Sequence, residues 1–512
     1  MRRRPASTTR SLPAPVGGWN ARDAVANMEE TDAVVMDNWF PTPSDVMGRR
    51  GWSTYATGMT DDVESLLVYK SATAEKMFAA AGSSIWEASS AGAVGSTAVS
   101  STSNSRWQHT NIATTGGQYL YAVNGADKPR LYDGSTWTAV DNASTPAIIG
   151  VTTTELIDVE LFKNRLWFVQ KDTLTAWYLP TDSIGGSANP IRLNGVAKRG
   201  GELVSICTWT LDAGQGMDDH WVAATSEGEV IVYKGTDPSS ANTWALVGVW
   251  QLGAPLGQRC LRKYGGDVLL NCVDGLIPLS RALVSANTSA SALALTNKIQ
   301  SAMTTAATSY GSNFGWEVLH YPKGNMLIVN VPTTGTGSGQ QQFVMNTITG
   351  AWCRFLDVDA GCWALFQDEP YFGGEGFVGK FWTTYADAST NINGEVLQAF
   401  SYFGKRGPLK HFKMARPVIS STGSPAILAG LNVDFDTGAL LGSLTFSPST
   451  QALWDAALWD VGVWSGDLTV RKNWQTMAAI GVCAAMHIKS AQQLETHWMA
   501  SDFIYENGGM LG

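Results

Sequence analysis

Met326-Leu-Ile-Val-Asn-Val331 runs into Pro332, a glycine-rich stretch Thr334-Gly-Thr-Gly-Ser-Gly339, a second apolar run Gln342-Phe-Val-Met-Asn346, and then Gly350-Ala-Trp352. Two short runs rich in β-branched and aromatic residues, separated by Gly and Ser, read as a β-hairpin with a flexible loop. No helix follows the glycines, so they do not form a phosphate cradle. Runs of the same kind recur at 64–69, 76–81, 119–124, 165–170, 220–224, 229–233, 267–271 and 361–367, most bounded by Gly, Asp, Asn, Ser or Pro. Many short strands punctuated by turn residues predict a mainly β fold.

The Gly350-Ala-Trp352 element has echoes at Ser84-Ile-Trp86, Gly134-Ser-Thr-Trp137 and Asn242-Thr-Trp244. Their tryptophans stand 51, 107 and 108 residues apart, which fits one, two and two periods of about 53. Four-stranded propeller blades repeat every ~40–50 residues, so residues 51–385 are expected to form an approximately six-bladed β-propeller. Leu295, Ile299, Met303 and Ala306 follow helical spacing, predicting a helix inserted near 292–310.

The flanks read differently. Residues 1–18 hold Pro5, Pro13, Pro15 and Gly17-Gly18 among small polar residues, an arm expected to be disordered in isolation. A short helix is expected between Asn20, as its cap, and Trp39-Phe40-Pro41, where proline stops it. Residues 386–512 are expected to form a smaller β-sandwich-like domain, with strands near 394–403, 414–421, 428–435, 484–489 and 498–505. Within it Trp454, Trp459 and Trp464 are spaced for neither a helix face nor a strand face, so they read as a loop with aromatic anchors suited to a partner.

Composition narrows the function. Of 512 residues 44% are hydrophobic and 15% charged, with 53 Gly and 21 Trp. That charged share is below the usual quarter. The net charge of −9 disfavours gripping nucleic acid, which needs a basic surface; Arg2, Arg3, Arg4 and Arg10 are the one basic cluster. Six scattered cysteines without CxxC spacing suit reduced, buried thiols of a protein assembled in a cytoplasm. No apolar run is long enough to span a membrane.

A search for chemistry assigns no catalytic, cofactor-binding or metal-binding residue. The six histidines form no i, i+4 pair, and neither a GxSxG elbow nor a P-loop lysine motif occurs. Asn432-Val-Asp434-Phe-Asp436-Thr-Gly438 departs from a calcium loop in the glycine position and lacks the closing glutamate. It reads instead as a strand with Asp434 and Asp436 facing water. Asp133-Gly-Ser-Thr-Trp137 is close to the aspartate-box turn of sialidase-like propellers, where the box is structural. Arg106, Arg130, Arg165, Arg259 and Arg354 lie in the propeller region and are the residues an anionic-glycan site would have to gather. No enzyme is expected.

Asn20-Ala-Arg-Asp-Ala, Asp37-Asn-Trp-Phe-Pro41, Arg49-Arg-Gly51, residues 199–236 and 253–280, and Tyr505-Glu-Asn-Gly-Gly together resemble virion proteins of short-tailed bacteriophages, most nearly the tail nozzle or tail hub family. That resemblance implies a structural protein of the virion tail, assembled in the host bacterial cytoplasm. It implies a homo-hexameric ring below the portal and head-to-tail adaptor, tail fibres or spikes attached outside, and transient passage of double-stranded DNA during genome ejection. Arg2, Arg3, Arg4, Trp454, Trp459 and Trp464 are the candidate partner contacts. The alternatives are another virion component, such as a fibre-anchoring adaptor, or a glycan-binding or glycan-cleaving propeller.

Overall fold

The structure, a computed structural model, describes residues 7–212, 217–284, 289–335, 339–440 and 468–508. It has two compact units: residues 54–341 with 359–380, and residues 1–53 with 342–358 and 381–512. The expected boundaries lay at 51 and 385; the stretch 342–358 folds with the two ends of the chain. No helix among the described residues is long and apolar enough to cross a membrane.

The first unit is a β-propeller. Its antiparallel strand sets follow one another along the chain, and the first strand of each lines a common channel. One lining residue from each set in turn is Val68, His109, Glu160, Ile206, Arg262, Val318 and Ala364. Among the described residues the ring therefore has seven blades, against an expectation of about six. Blade 1 takes the second half of Gly51–Lys70 with Glu75–Ala81, Ser84–Glu87 and Val99–Ser100. Blade 2 is Gln108–Thr114, Gly117–Val123, Arg130–Tyr132 and Trp137–Ala139; blade 3 is Leu156–Phe162, Arg165–Gln170, Thr175–Tyr178 and Asn189–Arg192. Blade 4 is Leu203–Asp212, Met217–Thr225, Glu229–Gly235 and Trp244–Gln251. Blade 5 has three strands, Leu261–Tyr264, Asp267–Cys272 and Gly275–Pro278, and blade 6 contributes Glu317–Tyr321 and Met326–Val331 to this unit. Blade 7 is Cys362–Phe366, Glu369–Gly373 and Glu375–Thr384, completed by the first half of Gly51–Lys70.

The blades have no solvent face inside the ring, which explains their unbroken apolar runs. Leu67, Tyr69, Phe78 and Ile85 of blade 1 pack on Trp107, Leu120 and Tyr132 of blade 2. The alternate residues Leu66, Val68, Met77 and Ala79 face Phe366, Tyr371 and Val378 of blade 7. In blade 4, Trp221, Ala223 and Ile231 face blade 3, while Val222, Ala224 and Val232 face blade 5. A period-2 strand thus builds two cores at once.

The helical insertion follows blade 5. Helices Leu279–Val284 and Ala290–Leu293 and the 3-10 turn Leu295–Ile299 precede the helix Gln300–Tyr310. Ile299, Met303 and Ala306 are buried as the spacing predicts.

The second unit corrects the reading of the chain start. Ser7–Pro13 is not a loose arm; it pairs antiparallel with Thr496–Asn507 from Ser7↔Glu506 to Pro13↔Ala500. No helix spans 20–38. Its helical content is the 3-10 turn Val25–Asn27, and Asp32–Asp37 is a strand beside Ile392–Gln398. Asn20 does cap a local turn, its Oδ1 accepting the backbone N–H of Arg22 and Asp23 at 3.1 and 3.0 Å. Val34-Val35 then prefers the pleated sheet that its partner strand supplies. The strands expected after 386 occur as Ile392–Gln398, Lys410–Ser421, Ala426–Val433, Ala484–Gln492 and Thr496–Asn507, folded with the N-terminal strands. Asp434 does not face water in a strand. It sits in a left-handed turn, with its Oδ1 accepting from the Val482 N–H at 2.6 Å.

Arg49 is the polar centre of this unit. Its side chain is fully buried and pairs with Asp387 through both nitrogens, Nη1 to Oδ1 at 2.8 Å and Nη2 to Oδ2 at 2.5 Å. Nη2 also donates to Leu356 O at 2.8 Å and Nε to Asn38 Oδ1 at 2.7 Å. Removing one partner of such a pair leaves an uncompensated buried charge, which costs roughly 3–5 kcal/mol. Arg49→Met is therefore expected to cost that much in chemical denaturation, and Arg49→Met with Asp387→Leu to recover most of it. A double variant no better than the single one would show that the remaining hydrogen bonds, not charge neutralisation, dominate.

Candidate functional site

The channel of the propeller is where side chains from all seven blades meet, in a cavity of about 380 Å³. Near the start of three inner strands the register shifts by a residue, at Val63/Ser65, Leu156/Asp158 and Leu203/Ser205. A β-bulge of this kind re-aims the next side chain. Here the re-aimed groups are Ser65, Asp158 and Ser205, all buried, and each is spent on a neighbouring blade. Ser65 Oγ donates to Ser105 O at 2.7 Å and accepts the Trp107 N–H at 2.8 Å. Asp158 Oδ2 accepts from Ser205 Oγ at 2.8 Å and from the Ile206 N–H at 3.0 Å.

Arg259 spans the channel at the end where the inner strands begin. Its Nη1 pairs with Glu317 Oε2 at 3.1 Å, and its Nη2 crosses to Ser65 Oγ at 2.6 Å and Glu64 O at 3.0 Å. Glu317 Oε2 also accepts the Trp363 N–H at 3.1 Å. From the start of blade 5 this arginine reaches blades 1, 2 and 6 and, through Glu317, blade 7. Further along, His109 Nε2 accepts the Val68 N–H at 3.2 Å, so the neutral ring carries its proton on Nδ1. Burial, reinforced by the positive charges of Arg259 and Arg262, holds the His109 pKa down to about 4. Glu160 is paired with Lys263 at 2.7 Å.

Burial pushes the Asp158 carboxyl up to about 7, opposed by the donors of Ile206 and Ser205. A buried carboxyl with a raised pKa is the mark of many catalytic acids, but Asp158 is engaged by three N–H and O–H donors. It acts as a joint between blades 3 and 4. Among the described residues no group of three His, Cys, Asp or Glu is placed to hold a metal ion.

The five arginines singled out in the sequence are not gathered into one site. Arg106 and Arg259 do converge, lying 4.4 and 5.2 Å from the Phe314 ring centroid, but Arg106 is paired with Glu64 and Arg259 with Glu317. Arg130 lies in the third strand of blade 2 and Arg165 in the second strand of blade 3. Arg354 lies in the other unit, paired with Asp37 at 2.7 Å. Asp133 does build the expected structural turn, accepting the N–H groups of Ser135 and Thr136 at 2.8 and 2.7 Å. The candidate partner contacts Arg2, Arg3, Arg4, Trp454, Trp459 and Trp464 lie outside the described residues. Sequence reasoning missed Asp158, Glu317, His109 and Arg262. The available signal was a charged or polar residue inside an apolar inner-strand run, as in Leu156-Ile-Asp-Val159.

Solved structures similar to this chain are β-propellers. They include the Swd1 propeller domain of Myceliophteria thermophila, at 13% identity and TM-score 0.38 over 64% of this chain and all of that one. BBS1N in complex with ARL6DN matches at 10% identity and TM-score 0.39, over 67% of this chain and all of that one. Sqt1 of Saccharomyces cerevisiae matches at 11% identity and TM-score 0.36, over 69% and 96%. No family model and no curated protein matches the chain. These likenesses concern the fold alone.

They also correct the phage-tail reading. The neighbours are propellers of cellular proteins and no phage tail protein is found among them, so the tail nozzle, its virion partners and its genome-ejection role are withdrawn. The physical reason lies in what the resembling strings do here. Asp37 pairs with Arg354 and Arg49 with Asp387, while a Cβ on Gly51 would stand 2.0 Å from Ala386 O. Glu229, in the middle stretch, accepts the N–H groups of Lys198 and Arg199 at 2.9 and 3.0 Å. Such residues hold a β fold together and carry no information about a partner.

The titration of Asp158 gives a test of its role. Its folded pKa lies above the ordinary carboxylate value near 3.9, so its contribution to stability is fully present below about pH 4 and is lost as pH rises through about 7. Relative to Asp158→Asn, the wild-type chain is expected to lose up to a few kcal/mol between pH 5 and 8. Parallel thermal-unfolding profiles for the two proteins across that range would rule this out.

Proposed function

We propose that this protein is a non-enzymatic interaction module that accepts an extended polypeptide segment along the outer strand of blade 4. One observation carries the reading: Trp244–Gln251 is a long, uncharged, uncovered sheet edge. The outer strands of blades 1, 2, 3 and 5 are blunted in ways known to prevent edge pairing. Val99–Ser100 has two residues and Trp137–Ala139 three, Asn189–Arg192 contains Pro190, and Gly275–Pro278 is covered by Leu295–Ile299. Trp244-Ala-Leu-Val-Gly-Val-Trp-Gln251 has eight residues, no proline and no charge.

Its outward surface is apolar for a local reason. Between Val232↔Gly248 and Tyr233↔Leu246 the register skips Val247. This bulge lets the consecutive side chains of Leu246 and Val247 both stay exposed, at 45% and 42%. The unpaired N–H and C=O groups of an edge strand are matched by another extended backbone, and adjacent apolar side chains supply selectivity. The occupant is therefore an uncharged, extended peptide. The non-enzymatic part of the reading is supported by the channel, where Asp158, Glu160 and Glu317 are each engaged by groups of other blades.

Selecting peptides from a displayed random library against the full chain tests this. Selected peptides are expected to slow amide exchange across 245–251, to bind Leu246→Lys/Val247→Lys at least tenfold more weakly (about 1.4 kcal/mol), and to be recovered chemically unchanged. Peptides that bind the double variant equally, protect another region or are cleaved would refute the proposal, as would a selection yielding none.

A further inference from the structure

The cavity of the propeller contains donors that have no partner among the described residues. Arg262 lines it and is half-buried, yet its guanidinium has neither an ion-pair nor a hydrogen-bond partner among the described residues. The other cations around it are committed: Arg259 to Glu317, Lys263 to Glu160 and Lys70 to Glu75. His109 lines the same cavity with its Nε2 occupied by the Val68 N–H, leaving Nδ1–H as a donor. Gln258, also in the wall, makes no side-chain hydrogen bond among the described residues. The carboxylates in the wall are already matched: Glu160 by Lys263, Glu317 by Arg259, and Asp158 by three donors. The cavity therefore carries one unmatched positive charge flanked by neutral donors.

We infer that this cavity binds the carboxylate of a small acid, held by Arg262 with His109 Nδ1–H and Gln258 as accessory donors. A planar guanidinium fits a carboxylate through two parallel N–H···O bonds. A single unmatched positive charge beside Glu160 and Glu317 balances a monoanion better than a phosphate dianion. The volume, about 380 Å³, lies at the small-ligand end of the usual range of about 300–1,000 Å³. Arg262 already depresses the His109 pKa, so a bound anion would offset that field and raise it.

Calorimetric titration of the full chain with butyrate, neutral butyramide, inorganic phosphate and a blocked Gly-Glu-Gly peptide tests the site. Saturable binding is expected for butyrate, the peptide or both, which separates a free acid from an acidic side chain as the source. None is expected for butyramide, and phosphate should bind more weakly. Arg262→Gln should weaken binding at least tenfold, and Arg262→Lys by less. Because Arg262 has no partner among the described residues, Arg262→Gln should unfold at nearly the wild-type temperature. Should that variant misfold, the wild-type His109 imidazole resonances decide: they should shift on butyrate addition and titrate at higher pH. No carboxylate saturating in the millimolar range, equal binding of phosphate, unaltered binding to a folded Arg262→Gln, or His109 resonances indifferent to the ligand would each overturn the inference.

Discussion

The propeller depends on one strand serving two sheets. The second half of Gly51–Lys70 is the inner strand of blade 1, and its first half completes blade 7 beside Glu375–Thr384. A ring of blades has no edge inside the circle only if the last sheet borrows a strand from the start. The join is tight: the Val63 N–H donates to Gly374 O at 3.0 Å, the Cys362 thiol to Val63 O at 3.2 Å, and a Cβ on Gly373 would stand 2.4 Å from that same oxygen. With the ring closed, every inner blade face is buried against a neighbour, and the apolar runs that look redundant in sequence become two cores per strand.

Closure also brings seven inner strands within reach of one another, which sets the chemistry of the channel. Polar groups there must be satisfied, because an unpaired buried group costs about 1–3 kcal/mol. Bulges at the starts of three inner strands turn Ser65, Asp158 and Ser205 toward adjacent blades, and Arg259 answers Glu317 while reaching across to Ser65. The result is a polar seam that makes the order of blades specific. Arg262 alone of the channel's arginines has no partner among the described residues.

The resemblance to phage tail proteins shows how structural demands imitate kinship. Gly51 leaves no room for a side chain, Asn38 accepts from Arg49 and the Leu356 N–H, and Glu229 caps two backbone amides. Each is required by a turn or strand crossing in this fold, whatever the protein does. The edge of blade 4 differs in kind: Trp244 is held in the core, but Leu246 and Val247 stand exposed on an uncharged strand, and no packing within the blade accounts for them.

The sequence by itself determined that the chain is built of short strands, that they repeat every fifty-odd residues, and that a helix interrupts them near Met303. Trp137 and Trp244 mark equivalent outer strands two blades apart, so that period was legible. The blade number was not: Trp86 belongs to a third strand, and the blades near the closure are shorter than those in the middle. Tertiary structure alone decided that Asp32–Asp37 is a strand, that Ser7–Pro13 lies along Thr496–Asn507, and that His109, Asp158, Arg259 and Arg262 share one channel. Local spacing reports backbone periodicity, which neighbours in sequence determine. Pairing between residues hundreds of positions apart depends on which strands ring closure places side by side, and no window of sequence contains both partners.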